Sequence, residues 1–419
     1  MLRRLFSRVD GGTWGSDPDS DEINATVIRA ADFDYARLRV STENAPERAV
    51  SRVDMTARGL TFGDLIIEKS GGGELQPVGR TVRFDLEGFF VPSNFAARLR
   101  PMDGCDSRFV CYLLASLYSE GVTRVYIKQT TGIQNLDLSQ FLAEKVSIPN
   151  LRNQRVISKY LDRETLRLND LIAKKSHMIE LLDERFEIEI FRAVTGGLSS
   201  RVDLRSVTVS WIDKMPRHWS LPPVAANYEV QLGKMLNAEA SSGSDHFPYL
   251  RNANVQWDRI ELGNLATMSF DKADRRRYRL RPGDLLVCEG GEVGRAAVWD
   301  GRLNDCFFQK AIHRVRPRRG NARFLMYCLR AAAKQNVFAV EGNQSTIVHL
   351  TAEKLRVHRF PFPPIEEQRA IVEYLDARRD ETTSLQSRLL RQITLLQERR
   401  HVLITAAVTG QLDIPGVAA

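Results

Sequence analysis

The 419-residue sequence predicts an α+β fold in which two pseudo-repeated α/β domains are separated by two long antiparallel coiled-coil helices. The first observation behind this prediction is a repeat without gaps, in which residues 149–198 recur as residues 363–412. Gln154 and Gln368 are 214 positions apart (368 − 154), and the other identical pairs of the repeat keep this spacing. The second observation is a weaker repeat in the segments that precede these stretches. Such a chain contains an internal duplication of one structural half.

Each copy of the strong repeat predicts one long helix. Apolar residues recur in it at steps of three and four, which is the pattern of a coiled-coil seam. Pro149 and Pro363 begin the two copies, where helices tolerate proline, and Gly196 and Gly410 stand near their ends, where glycine terminates helices. A helix of about forty residues is roughly 60 Å long. The residues predicted to pair the helices and to dock partner proteins are Ile157, Leu161, Leu168, Leu171, Leu182, Ile371, Leu375, Leu385, Leu389 and Leu396.

The segments around these helices define the predicted domains. The first block contains strand-like runs separated by glycine and proline turns, together with a helical apolar pattern, which is typical of an α+β domain. Its predicted strands are 25–28, 65–67, 81–84, 89–91 and 122–127, and its predicted helix is 107–119. The predicted order is domain 1 (1–148), spacer helix 1 (149–198), a linker (199–217), domain 2 (218–362), spacer helix 2 (363–412) and a tail (413–419).

The second block repeats short motifs of the first. The offset varies between 215 and 222 (323 − 108 and 251 − 29), so the framework is shared while the loops differ in length. Residues 212–222 have no counterpart before Met1, and domain 1 is therefore expected to be short at its N-terminus. The matching motifs are Val27-Ile28-Arg29-Ala30-Ala31 with Tyr249-Leu250-Arg251-Asn252-Ala253, Gly63-Asp64-Leu65 with Gly283-Asp284-Leu285, Gly79-Arg80 with Gly294-Arg295, Arg100-Pro101 with Arg316-Pro317, and Arg108-Phe109 with Arg323-Phe324.

The composition favours a polyanionic partner. Lys and Arg number 60 against 52 Asp and Glu, which gives a net charge of +8. The sequence has no apolar run of about 18 residues, and its first residues lack the apolar core of a signal peptide, so no membrane span or export is expected. None of the five cysteines has C-x-x-C spacing. They are interpreted as buried thiols of a reducing cytosol, and a cytoplasmic location is expected.

The sequence lacks the motifs of the common catalytic sites. It has no phosphate-binding loop, no adenine-methyltransferase tetrad, no nucleophile elbow and no set of zinc ligands. Asp64, Glu68 and Lys69 do not have the spacing of a metal nuclease. Asp64 and Asp284 are interpreted instead as turn residues that lead into strands. No catalytic residue, metal or cofactor is therefore expected.

Binding residues remain as candidates. Glycine-rich loops at 71–73 and 290–291 follow equivalent strands, where they either form plain hairpin turns or let a ligand approach the backbone. Arg and Lys neutralise phosphates, and Arg, Asn and Gln can bind base edges through two hydrogen bonds. The predicted DNA-binding residues are Arg29, Lys69, Ser70, Arg80, Arg83, Asn94, Lys128, Gln129, Arg251, Asn252, Arg275, Arg276, Arg277, Arg295, Gln309, Lys310, Asn343 and Gln344.

The paired motifs resemble those of the specificity (S) subunits of type I restriction-modification systems. The resemblance rests on the twin P-x-x-x-x-Q-R, Y-L-D and A-V-T-G-x-L motifs of the helices and the twin G-D-L, G-R and R-P motifs of the blocks, over nearly the whole chain. It implies a non-catalytic subunit in which two target recognition domains each read half of a bipartite site in double-stranded DNA. It also implies that the helices dock two methyltransferase (modification) subunits, and that restriction subunits join this complex.

Two other classes of function stay open. One is a stand-alone DNA-modifying or cleaving enzyme with an unrecognised site, which methyl transfer or cleavage by the purified chain alone would reveal. The other is a protein-binding adaptor, whose reconstituted complex would not shift DNA in a salt-dependent way. For the helices, the competing interpretation is two surface helices of a large globular enzyme, which the constant offset disfavours. The helix length is expected to set the spacing between the two half-sites.

Overall fold

The computed structural model describes residues 1–18, 22–130, 132–236, 245–340 and 349–417. The chain forms two compact units. Unit 1 comprises Met1–His177 with Arg388–Ala419, and unit 2 comprises Met178–Ser387. Each unit contains one of the two blocks, the first part of the long helix that follows it, and the last part of the other long helix.

The N-terminal block of unit 1 is a mixed α/β structure followed by the first long helix, α4. Its helices are α1 (Arg52–Arg58), α2 (Ser107–Ser119), α3 (Leu138–Phe141) and α4 (Leu151–Gly196), with 3-10 helices at Leu2–Leu5, Ala30–Asp32 and Val122–Tyr126. Its strands are β1 (Phe6–Gly11), β2 (Ile23–Ile28), β3 (Phe33–Asp34), β4 (Arg39–Val40), β5 (Glu47–Val50), β6 (Leu65–Glu68), β7 (Ser70–Gly71), β8 (Thr81–Arg83), β9 (Phe90–Pro92), β10 (Ala96–Pro101), β11 (Ile127–Thr130) and β12 (Ile133–Leu136).

The block of unit 2 follows the same plan and leads into the second long helix, α10. Its helices are α5 (Val224–Asn227), α6 (Lys272–Tyr278), α7 (Ala322–Lys334), α8 (Val337–Val340), α9 (Ala352–Val357) and α10 (Ile365–Val408), with a 3-10 helix at Asn252–Asn254. Its strands are β13 (Leu204–Val209), β14 (Ile212–Pro216), β15 (Tyr228–Leu232), β16 (His246–Leu250), β17 (Val255–Gln256), β18 (Arg259–Ile260), β19 (Ala266–Ser269), β20 (Leu285–Cys288), β21 (Ala296–Val298), β22 (Phe307–Phe308) and β23 (Ile312–Pro317).

The two blocks have matching sheets. The order β1-β10-β6-β8 in unit 1 corresponds to β15-β23-β20-β21 in unit 2, and both runs are antiparallel. A second sheet, β5-β2-β9, corresponds to β19-β16-β22, and in each case the last pair is parallel. The predicted pseudo-repeat of two α/β domains is confirmed at the level of strand pairing.

A buried ion pair joins two of the repeated motifs in each unit. The Arg100 guanidinium donates to both carboxylate oxygens of Asp64 at 2.8 Å. Arg316 donates in the same way to Asp284 at 2.7 Å. Each carboxylate also accepts from a backbone N–H three residues earlier. The G-D-L and R-P motifs therefore recur together because they are the two halves of one contact.

The long helices run antiparallel to each other within each unit. Residue numbers fall along one helix as they rise along the other, and the bonds between them are side-chain hydrogen bonds and ion pairs. They join Asn169 to Arg400 and Lys175 to Gln392 (both 2.6 Å) in unit 1, and Asp183 to Gln386 (2.7 Å) and Glu189 to Arg378 (2.8 Å) in unit 2.

The predicted seam residues fall into two classes. Ile157 and Leu161 belong to the core of unit 1, and Ile371 and Leu375 to the core of unit 2, so the beginning of each helix packs into the block before it. The later members of the seam are less uniform. Leu168 and Leu389 are buried, Leu182 and Leu396 are half-buried, and Leu171 and Leu385 are exposed.

One predicted strand is wrong. Residues 122–126 form a 3-10 helix, and the strand begins only at Ile127. The β-branched residues of this run favour a strand, but Gly121 (φ +75°) turns the chain directly out of α2. The Arg124 N–H then donates to the Gly121 carbonyl, which closes a tight turn. The predicted linker, 199–217, contains the β13–β14 hairpin, whose Ile212 and Met215 are buried.

The cysteines are free thiols, four of them buried and Cys105 half-buried. Burial raises the pKa of Cys111 to about 12 and that of Cys288 to about 11. In the described part of the chain no helix combines the length and hydropathy needed to cross a membrane. Among the same residues, no group of three or more His, Cys, Asp or Glu side chains is arranged so that it could bind a metal ion.

Candidate nucleic-acid interface

A repeated glutamine attaches each block to the long helix that follows it. In unit 1 the Gln154 side chain accepts from the Asp106 N–H (2.9 Å) and donates to the Pro149 carbonyl (2.8 Å). In unit 2 Gln368 accepts from the Asn321 N–H (2.9 Å) and donates to the Pro363 carbonyl (2.8 Å). Asp106 and Asn321 are the N-caps of α2 and α7. The glutamine therefore fixes the beginning of a core helix against the beginning of a long helix.

A repeated aspartate completes this attachment. In unit 1 Asp162 accepts from Arg108 and from the Tyr112 hydroxyl, both at 3.0 Å. The equivalent contacts of unit 2 are closer. They are Arg323–Asp376 at 2.7 Å and Tyr327–Asp376 at 2.6 Å. The Q-R and Y-L-D motifs are thus explained as structural joints, which hold each block in a defined orientation on its helix.

Five predicted binding residues of unit 1 come together at one edge of the block. Lys128 and Gln129 of β11 lie in the same small sheet, β11-β12-β7, as Ser70 of β7. Lys69 and Ser70 both donate their backbone N–H to the Phe95 carbonyl (2.8 and 2.9 Å), which brings the neighbouring Asn94 to the same edge. Lys128, Gln129 and Asn94 are exposed. We call Lys69, Ser70, Asn94, Lys128 and Gln129 the unit 1 polar edge.

The other three candidates of unit 1 are engaged inside the block. Arg29 donates to both oxygens of Asp32 (2.9 Å each) and to the Asn44 carbonyl. Arg80, whose side chain is 16% exposed, lies 4.1 Å from the centroid of the Tyr35 ring. The remaining one, Arg83, donates to the Ser107 hydroxyl at 3.0 Å, and burial lowers its pKa. These guanidinium groups stabilise loops and are poorly placed to reach DNA.

The equivalent residues of unit 2 are also hydrogen-bonded within their own block. Arg251 donates to the Asn264 carbonyl at 2.9 Å, as Arg29 does to Asn44 in unit 1. Arg295 donates to the Asn252 carbonyl at 3.1 Å, and its side chain is 15% exposed. The Asn252 amide donates to the Gly290 carbonyl at 2.8 Å, so it closes the glycine-rich loop.

The exposed candidates of unit 2 gather around Lys234. Its ammonium group donates to Asp274 on α6 and to the Ser269 carbonyl, and its backbone carbonyl accepts from the Lys310 N–H at 2.8 Å. Arg275, Arg276 and Arg277 lie on the same short helix as Asp274. Arg276, Arg277 and Lys310 are exposed, whereas Arg275 pairs with Asp245 at 3.2 Å. We call Lys234, Arg275, Arg276, Arg277 and Lys310 the unit 2 basic edge.

Gln309 lies beside this edge, half-buried, with its N–H bonded to the Leu250 carbonyl at 3.2 Å. The last two predicted residues, Asn343 and Gln344, lie outside the described residues.

Lys234 and the equivalence of helices α1 and α6 were not predicted from the sequence. Both helices begin with a capping residue followed three positions later by an aspartate, Ser51 with Asp54 and Asp271 with Asp274. This capping signature was readable from the sequence. It identifies exposed Arg52 of α1 as a further basic residue on an element equivalent to the basic helix of unit 2.

One buried carboxylate directly precedes the unit 1 polar edge in the chain. Glu68 ends β6, is buried, and faces Arg80 with 3.9 Å between the charged groups. Burial raises the pKa of Glu68 to about 6, and the charge of Arg80 opposes this rise. Its structural equivalent in unit 2 is Cys288, at the end of β20. No pattern shared by the two blocks therefore supports a carboxylate-based catalytic site here.

Comparison with known proteins gives one family. The family model described as the type I restriction modification DNA specificity domain matches residues 63–181 and 228–395. A putative type I restriction enzyme MjaX specificity subunit from Methanocaldococcus jannaschii is 24% identical over 174 residues, which cover 39% of this chain and 40% of that protein. The EcoBI specificity subunit from Escherichia coli is 29% identical over 178 residues, covering 42% of this chain and 35% of the relative. The chain thus spans less than half the length of these two relatives.

Two solved structures share the fold. A chain from a study of complex assembly and conformational transition of the type I R-M system aligns with a TM-score of 0.69 and 14% identity, over 98% of this chain and 97% of the other. The HsdS subunit from Thermoanaerobacter tengcongensis aligns with a TM-score of 0.53 and 15% identity, over 98% and 96%. At these identities the comparison establishes the architecture alone.

Proposed function

We propose, because this chain belongs to the family of type I restriction modification DNA specificity domains, that it is the DNA-recognition subunit of a type I restriction-modification complex in the cytoplasm. Its two blocks act as target recognition domains, with boundaries at residues 1–148 and 218–362. Each reads one half of a bipartite site in double-stranded DNA. The chain itself carries no chemistry and acts by placing a methyltransferase on the target.

One observation carries this proposal. Each unit attaches its block to a long helix through the same contacts, from Gln154 and Asp162 in unit 1 and from Gln368 and Asp376 in unit 2. A chain that holds two equivalent domains in the same orientation on their helices suits a partner that offers two half-sites. The framework motifs recur in both blocks, whereas the exposed edges of the two blocks differ. This difference is what two unlike half-sites require.

The proposed DNA contacts are the exposed members of the unit 1 polar edge and the unit 2 basic edge. Phosphates attract side chains whose charge is not already neutralised, and arginines that already bind carboxylate, carbonyl or hydroxyl oxygens of their own block lose those contacts if they turn outward. We therefore assign Arg29, Arg80, Arg83, Arg251 and Arg295 to the framework. Arg276, Arg277 and Lys310 are assigned to phosphates, and Asn94 and Gln129 to base edges. Lys128 is exposed but already paired with Asp137 at 2.7 Å, so it is not assigned to a phosphate.

Removal of a single charge distinguishes a phosphate contact from a base contact. We expect Lys310→Ala to weaken binding of all DNA sequences alike and to lower the salt slope of binding by about one. Loss of a base contact would instead cost about 1–3 kcal/mol on the cognate site only. The measurement is fluorescence anisotropy of the reconstituted complex with labelled cognate and random duplexes over a series of salt concentrations.

Two variants serve as controls for that experiment. Arg259→Ala removes an exposed arginine that is already paired with Glu261, and the salt slope should stay unchanged. Arg295→Ala should lower thermal stability, because the Asn252 carbonyl loses its donor. An unchanged salt slope in Lys310→Ala would remove this residue from the DNA interface.

The partners follow from apolar side chains that repeat on the long helices. Leu181 and Ile188 of α4 are exposed, and their counterparts at the 214-residue offset, Leu395 and Val402 of α10, are exposed as well. Exposed apolar residues at equivalent places mark equivalent docking surfaces. We propose that each surface takes one methyltransferase subunit, so that the chain carries two, and that restriction subunits join this assembly.

The stoichiometry is testable by mass. Co-expression of the chain with an excess of its methyltransferase should give a complex with two methyltransferases per chain, measured by native mass spectrometry. Leu181→Glu and Leu395→Glu should each remove one copy, because a charge at an apolar contact opposes docking. A stable one-to-one complex at excess partner would contradict the two-site arrangement.

A further inference from the structure

Unit 1 contains a cavity of about 440 Å³ that the DNA-recognition function does not use. It lies between the β3–β4 turn, helix α2 and the last part of α10. Its volume falls within the range of small-molecule binding sites, which is about 300–1,000 Å³. Its walls combine aromatic rings, aliphatic side chains and guanidinium groups.

The equivalent place in unit 2 is closed by two ion pairs. One joins Arg330 of α7 to Glu187 of α4 at 2.8 Å. The other joins Arg379 of α10 to Asp258, which occupies the β17–β18 turn at φ +57°. The Arg330 guanidinium also covers the Phe186 ring at 5.4 Å. These contacts fill the space between the block and the helices of that unit.

Unit 1 has none of these four charged residues. The offset of the core helices (323 − 108 = 215) makes Ala115 the counterpart of Arg330, and the offset of the long helices makes His401 the counterpart of Glu187. Thr165 stands in the place of Arg379 by the same rule. Leu38, at φ +54° in the β3–β4 turn, takes the place of Asp258. The cavity is therefore an asymmetry between two halves that otherwise share their framework.

The cavity carries an excess of positive charge. Arg37, Arg80, Arg124 and Arg400 line it, together with the carboxylate of Glu120. Arg37 pairs with Asp34 at 3.0 Å and Arg80 faces Glu68 at 3.9 Å, so among the described residues the excess charge lies on Arg124 and Arg400. Arg400 replaces Phe186 of the other half, and its guanidinium donates to two neutral oxygens, from Asn169 at 2.6 Å and from Ala36 at 3.3 Å. Burial lowers the pKa of Arg400, as expected for a cation that is poorly compensated. An anion would relieve this imbalance.

The remaining walls suit a flat ring. Tyr35, Tyr112 and Tyr118 line the cavity together with Leu38 and Ile404. Aromatic faces and aliphatic side chains pack against planar heterocycles, and guanidinium groups stack on them as well. A ligand of this shape and charge is one aromatic ring system joined to a phosphate.

We propose that this cavity is a binding site for a nucleoside phosphate. The ring lies among the tyrosines, and the phosphate is bound by Arg124 of the 3-10 helix Val122–Tyr126 and by Arg400 of α10. The site is separate from the proposed DNA contacts, and it gives one half of the molecule a small-molecule ligand that the other half cannot take.

The test is binding of ADP to the full chain, measured by isothermal titration calorimetry. ADP should bind with one site per chain. Adenosine and inorganic pyrophosphate should each bind at least about tenfold more weakly, because each supplies only one of the two contacts. Absence of saturable ADP binding up to millimolar concentrations would overturn the proposal.

The double variant Ala115→Arg/His401→Glu locates the site. It installs the ion pair of the other half, which should fill the cavity and abolish ADP binding. Arg124→Ala, an exposed residue on the cavity wall, should weaken binding about tenfold without disturbing the core. Arg4→Ala, an exposed arginine of unit 1 away from the cavity lining, should leave binding unchanged. Full ADP binding by the folded double variant, or equal effects of Arg124→Ala and Arg4→Ala, would refute this location.

Discussion

Replacing Asp284 with alanine should lower the free energy of unfolding of unit 2 by about 3–5 kcal/mol. The Asp284 carboxylate is 2% exposed and accepts two hydrogen bonds from Arg316 at 2.7 Å and one from the Arg281 N–H at 2.8 Å. Its removal leaves a largely buried guanidinium without its hydrogen-bonded counter-charge, which is far costlier than losing an exposed pair. Native-state hydrogen exchange of β20 and β23 amides measures the loss within this unit.

Two further variants test the reason for this effect. Asp64→Ala should destabilise unit 1 in the same way, since Asp64 makes the equivalent contact with Arg100. Asp300→Ala breaks the exposed pair with Arg302, whose side chains are 50% and 52% exposed, and should cost no more than about 1 kcal/mol. If Asp284→Ala cost as little as Asp300→Ala, the ion pair would not be a structural joint of the repeat.

The long helices and the pseudo-repeat were predictable from the sequence because their signals are local or periodic. Apolar spacing, proline at the start and glycine at the end bound each helix to within a few residues of the observed Leu151–Gly196 and Ile365–Val408. Helix α2 was predicted over its full length, Ser107–Ser119, for the same reason. The 3-10 helix Val122–Tyr126 was not, because a glycine outside the run decided its conformation.

The candidate site was less predictable because the partner of an arginine is set by the tertiary fold. Arg295 and Lys310 look alike as basic residues near a loop. In the structure one is bonded to the carbonyl of Asn252, 43 residues earlier, while the other is exposed. The twin Asp64–Arg100 and Asp284–Arg316 pairs were visible as recurring motifs, but their bonding was not. A repeat indicates which residues belong to the framework and leaves the geometry of the exposed edges undetermined.

Separate readout by the two blocks should make half of the DNA specificity exchangeable. Replacing residues 218–362 with the equivalent block of a related specificity subunit should change one half of the recognised DNA site and leave the other half unaltered. The new block must retain the residues that meet Gln368 and Asp376, so that it attaches to α10 as the native block does. A chimera with Asp376→Ala serves as a control for attachment, since it should weaken the whole complex without changing the sequence read.

The decisive measurement is the methylated DNA motif produced in cells by the chimera together with its methyltransferase subunits, mapped by single-molecule sequencing beside that of the native chain. We expect two bipartite motifs that share one half-site and differ in the other. A chimera that folds and methylates DNA, yet changes both half-sites or neither, would contradict the proposal that each block reads its own half.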